Sequence, residues 1–63
     1  MKIDTGKIIT EMKRLGYSQN TLAPRIGKTR QALGYILKTG STKFKTLGEI
    51  ADALGMDGKD LIQ

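Results

Sequence analysis

The chain has 63 residues, enough for one domain that buries about 60% of the surface its unfolded form exposes. It contains no Cys and no His, which excludes disulfides, zinc fingers and imidazole-based acid–base chemistry. Eleven basic residues against six acidic ones leave a net charge of +5, which by itself favours a nucleic-acid partner only mildly.

The first element is predicted as a helix from about Asp4 to Leu15. Ile8, Met12 and Leu15 recur at helical spacing, Ile9 widens the stripe, and Asp4 or Thr5 can cap the start. Ser18 is a good N-cap for a second helix that presents Leu22, Ala23 and Ile26 on one face. Pro24 lies inside it and predicts a kink or an early end, because proline removes an amide donor and crowds the carbonyl of Asn20. Thr29 caps a third helix with Leu33, Ile36 and Leu37 on its inner face.

Residues 39–45 read as a loop anchored by Phe44. Thr46-Leu47-Gly48-Glu49 has the pattern of a capping box, followed by Ile50, Ala51 and Leu54 at helical spacing. Asp57 can cap a last short helix through Leu61 and Ile62. Nothing alternates at period two for long enough to predict a strand. The expected fold is all-α, a compact bundle of about five short helices forming one domain over residues 1–63. Met12 and Met56 are read as core fillers.

Residues 18–38 carry the most information. Two helices joined by a tight turn need a small residue where they cross and a residue that tolerates positive φ at the corner. Ala23 and Gly27 meet those needs. Leu33 and Ile36 then bury the inner face of the second helix, leaving Arg30, Gln31, Gly34, Tyr35 and Lys38 on the outer one. Positions 31, 34, 35 and 38 share a stripe. Arg30 and Gln31 occupy the first turn, the part of a recognition helix that reaches base edges in the major groove.

The order Gln19, Leu22-Ala23, Ile26-Gly27, Thr29-Arg30-Gln31, Leu33 and Ile36, continued by Phe44-Lys45-Thr46-Leu47, Ile50-Ala51, Ala53-Leu54-Gly55 and Asp60-Leu61-Ile62, resembles the Cro and lambda-repressor (XRE) type of helix-turn-helix proteins of phages and bacteria. The resemblance covers residues 17–62 by sequence and residues 1–16 by helix pattern alone. It implies a five-helix bundle that binds operator DNA. By resemblance, Gln19 bonds a phosphate and braces the recognition helix, Arg30, Gln31 and Tyr35 read bases, and Lys38 and Lys43 touch the backbone. Lys28 departs from the family pattern, standing at a turn position that is usually apolar; its aliphatic stem is expected to pack there. Gly34 weakens the third helix by about 1 kcal/mol against Ala, and leaves room for close approach of DNA or of the preceding helix.

The chemistry of these residues agrees. Arg pairs bidentately with guanine and Gln with adenine, each giving about 1–3 kcal/mol of discrimination. Tyr35 can pack on a thymine methyl or donate to phosphate. Lys28, Lys38, Lys43 and Lys45 suit sequence-blind phosphate contacts, and Thr29 stands among them at the helix start. The charge distribution supports a polyanion-facing front. Ten basic residues stand against Asp4 and Glu11 up to Lys45, and beyond it Lys59 faces Glu49, Asp52, Asp57 and Asp60.

These readings predict a sequence-specific DNA-binding regulator, a small Cro-like repressor on a (pseudo)palindromic operator in double-stranded DNA. A homodimer is expected, with its surface near Met56, Leu61 and Ile62, unless Leu61 and Ile62 instead close the core. An alternative from another class is a protein-interaction module of the same fold, an antirepressor or inhibitor that masks a nucleic-acid-binding partner. A third is a DNA-binding domain cut from a longer regulator, against which the start at Met1 argues weakly. No apolar run approaches the roughly 18 residues that span a bilayer, and the N-terminus has no signal-peptide core, so a cytoplasmic protein without a membrane partner is expected. No paired acid–base groups suggest an enzyme. Gly27-Lys28-Thr29 looks like the end of a P-loop, but Leu22 stands where that motif needs glycine, so no nucleotide, cofactor, metal or small-molecule ligand is expected.

Overall fold

The computed structural model describes every residue, Met1–Gln63. Four α-helices follow in order, α1 (Thr5–Leu15), α2 (Gln19–Arg25), α3 (Arg30–Thr39) and α4 (Phe44–Leu54), and a 3-10 turn over Gly58–Leu61 closes the chain. The architecture is all-α, with the fifth helix reduced to that single turn.

Local chemistry explains three of the helix starts. The Asp4 carboxylate accepts from the Lys7 amide, Ser18 Oγ from the Thr21 amide, and Thr29 Oγ1 from the Ala32 amide. At Ser18 the Thr21 hydroxyl accepts in return from the Ser18 amide, so two otherwise free donors of α2 are satisfied. Asp57 caps the final turn through the Lys59 amide.

The core is one cluster, to which every element contributes. Ile8 and Met12 come from α1, Leu22 and Ala23 from α2 with Ile26 at its cap, Leu33 and Ile36 from α3, and Leu47, Ile50, Ala51 and Leu54 from α4. Leu15 and Ile9 remain exposed. Ile9 falls on the flank of the α1 stripe, while Leu15 is in line with Ile8 and Met12 but is the last residue of the helix. Leu61 is fully buried and closes the core from the final turn. Of its two expected places, dimer surface or core, Leu61 takes the core; Met56 is half-buried against it, and Ile62 alone of that group stands exposed.

Two further expectations fail at α4. The helix begins at Phe44, two residues ahead of the Thr46–Glu49 pattern, and Thr46 is an interior, buried residue instead of a cap. Phe44 is not a loop anchor but 72% exposed, because the helix start carries it to the flank of the stripe formed by Leu47, Ile50, Ala51 and Leu54. The N-cap is Lys43, whose side chain has no capping oxygen.

No strand forms, as expected, but the chain ahead of α1 is paired through isolated bridges. The Ile3 amide donates to the Gly40 carbonyl at 3.0 Å and the Thr42 amide to the Met1 carbonyl at 3.1 Å. On the other edge the Asp4 amide donates to Leu61 and the Gln63 amide to Lys2, at 2.7 and 3.1 Å. These bonds make two antiparallel bridges, Lys2 with Ser41 and Ile3 with Ile62. Ile3 is buried between them.

Candidate nucleic-acid interface

The helix-turn-helix is set by how α2 ends. Gly27 has φ +68°, the left-handed conformation that favours glycine. Its amide donates to the Pro24 carbonyl at 3.2 Å, and the Lys28 amide to the Ala23 carbonyl at 2.9 Å, the pair of bonds that reverses a chain at a helix end. Pro24 stands in the last turn of a seven-residue helix, so the early end its ring imposes coincides with the turn. α2 and α3 then make the most extensive helix–helix contact in the molecule.

That packing turns Leu33 and Ile36 inward and fixes the opposite face of α3 outward. Arg30, Gln31, Tyr35 and Lys38 are all exposed, Tyr35 at 68%. Thr29, Lys28, Lys43 and Lys45 are exposed as well. Lys28 does not seal the turn with its stem, because the Gly27 corner already carries it to the surface. None of the four lysines, nor Arg30, has a carboxylate partner; the ion pairs of the chain are Arg14–Glu11 at 2.7 Å and Lys59–Asp57 at 3.9 Å. The Arg14 guanidinium donates to both Glu11 oxygens and holds that carboxyl below its ordinary range, while Glu11 raises Arg14 in turn. Arg25 is engaged elsewhere, its guanidinium 4.8 Å from the centroid of the half-buried Tyr17 ring. The basic side chains of α3 and of the segment after it are therefore free to meet an anion.

Gln19, the first residue of α2, is half-buried rather than splayed into solvent. Its Oε1 lies 3.2 Å from the position a Cβ at residue 34 would take. Gly34 thus makes room for the preceding helix, one of the two approaches its place in the sequence allowed. Gly34→Ala is expected to stabilise α3 by up to about 1 kcal/mol through helix propensity, since only the flexible end of Gln19 has to yield. A thermal melt checks it: the midpoint should rise by a few degrees, and a fall means that the Gln19 contact outweighs the helix preference.

The start of α4 is a feature the sequence pattern hid. With no capping side chain, the amides of Phe44, Lys45 and Thr46 have no acceptor within the chain, and the first backbone bond of the helix runs from Leu47 to Lys43. Free amides at the positive end of a helix dipole, between two lysines, suit a phosphate oxygen. A capping-box search puts the cap at Thr46, three residues beyond Lys43; the sequence cue is the Lys43-Phe44-Lys45 run itself.

The bundle, the corner at Gly27 and the outward stripe on α3 define a helix-turn-helix protein. A helix-turn-helix family model matches residues 8–61, and the chain belongs to that family, of the Cro and lambda-repressor (XRE) type. It is accordingly a DNA-binding regulator of the XRE type. No curated protein and no solved structure shows significant similarity to the chain. No helix is long and apolar enough to cross a membrane.

Proposed function

We propose that the chain is a sequence-specific repressor of the Cro kind, acting in the cytoplasm without a catalytic step by occupying an operator and excluding polymerase. The observation that carries this reading is the two-sidedness of α3: Leu33 and Ile36 are locked in the core while Arg30, Gln31 and Tyr35 stand exposed and unpaired. In this reading Arg30, Gln31 and Tyr35 read bases. Gln19, Lys28, Thr29, Lys38, Lys43 and Lys45 hold the phosphates, aided by the free amides of α4. One module of this size buries little of a duplex, so two copies bind half-sites about 34 Å apart on a (pseudo)palindromic operator.

The test is binding to random-sequence duplex across a salt series, followed by selection of bound sequences from a random pool. The logarithm of affinity should fall linearly with the logarithm of salt, by about 0.9 per phosphate neutralised. Selected sequences should show two symmetric half-sites. No binding at low salt rejects the DNA reading and favours the alternative, an acidic protein surface as the partner of the basic face.

A further inference from the structure

We propose that Lys2, which lies outside the helix-turn-helix, is a further DNA-phosphate contact, held beside the end of the recognition helix by the bridged segment Met1–Ile3. The inference rests on the DNA-binding reading and adds a residue to it from a part of the chain that no motif covers.

The geometry comes from the backbone. The bonds from the Ile3 amide to Gly40 and from the Thr42 amide to Met1 flank the Lys2–Ser41 pair without joining those two residues directly. That is the close type of antiparallel pair, with Cα atoms about 4.5 Å apart and the two side chains on one face. Successive residues of a strand point to opposite faces, and Ile3 points into the core, so Lys2 and Ser41 point away from it. Both are exposed. Ser41 follows α3 by two residues, with Lys38 on the last turn of that helix and Lys43 just beyond. The segment therefore adds the charge of Lys2 to the positive end of the proposed interface.

Lys2 has no ion pair, and the nearest carboxylate in sequence, Asp4, is engaged in capping α1. The segment is bonded along both edges, to Gly40 and Thr42 on one side and to Leu61 and Gln63 on the other. Little backbone freedom is left to lose when Lys2 meets an anion, unlike a free terminal arm.

The experiment compares the salt dependence of duplex binding for the wild type, Lys2→Ala, Lys2→Arg and Lys59→Ala. Lys2→Ala should make the slope shallower by about 0.9 per bound copy, on selected and random duplexes alike, while Lys2→Arg keeps the wild-type slope. Lys59, paired with Asp57 in the acidic part of the chain, should leave it unchanged when replaced. An unchanged slope for Lys2→Ala, or an equal change for Lys59→Ala, overturns the proposal while the DNA reading stands. Failure of the wild type to bind would overturn both, and is visible before any variant is made. A second measurement needs no variant: saturating duplex should protect Lys2 of the wild type from acetylation and leave Lys59 reactive. A Lys2 that stays as reactive as Lys59 in the complex overturns the assignment.

Discussion

Leu33→Ala is expected to lower the free energy of unfolding by about 2–5 kcal/mol, the cost of emptying a fully buried leucine position. Leu33 is wholly enclosed at the crossing of α2 and α3, where Ala23 lets the helices approach. A domain of this length holds about 0.05–0.15 kcal/mol per residue in all, so the loss is comparable with the whole stability. No disulfide offsets it. Urea denaturation should show the midpoint falling by about 1–5 M with the slope unchanged, given an m-value of about 1–2 kcal/mol/M. Leu37→Ala, on the half-buried flank of the same helix, should cost much less. Duplex DNA binds only the folded form in this account, so excess duplex should restore part of the lost midpoint by mass action. A Leu33→Ala protein with a near-wild-type midpoint would mean that the α2–α3 crossing does not hold the outward face of α3 in place.

What could be read from the chain and what could not divides along local and non-local causes. Ser18, Thr29 and Asp4 cap the helices predicted for them because a cap is a contact within three residues. Gly27 turns the chain where predicted because positive φ is a property of one residue. The outward stripe of α3 follows from the inward pair Leu33 and Ile36. The misses need information from elsewhere in the fold. Thr46 has the spacing of a cap, but burial against the core draws the helix start back to Phe44, and no local pattern competes with that. Ile9 and Leu15 fit the helical stripe as well as Met12 does; which of them is covered depends on where the other helices sit. Leu61 fits a dimer surface and the core equally well until the final turn folds it inward. Lys2 and Ser41 meet across 39 positions through a paired segment too short to show alternation, so their juxtaposition is invisible before the fold is known. The proposed interface divides in the same way: the outward placement of Arg30, Gln31 and Tyr35 follows from the sequence pattern, whereas the placement of Lys2 and the unpaired amides of α4 does not.

Arg30→Ala should reduce binding to the selected operator by roughly 5- to 150-fold per half-site, corresponding to about 1–3 kcal/mol each, while weakening random-sequence binding far less. The asymmetry follows from position. Arg30 opens α3, is exposed, and has no carboxylate to occupy its guanidinium, so the whole donor fork is available to a base edge. A lysine that meets phosphate has no such preference. Lys43→Ala should therefore weaken every sequence alike and make the salt slope shallower by about 0.9 per bound copy. Arg30→Lys separates charge from geometry: it keeps the positive charge but loses the planar pair of donors, and so should retain random-sequence binding and lose discrimination at one base position in each half-site. Competition between the operator and duplexes substituted at single positions reads this directly. If Arg30→Ala lowers affinity equally on all of them, Arg30 is one more backbone contact, and Gln31 and Tyr35 must carry the sequence reading by themselves.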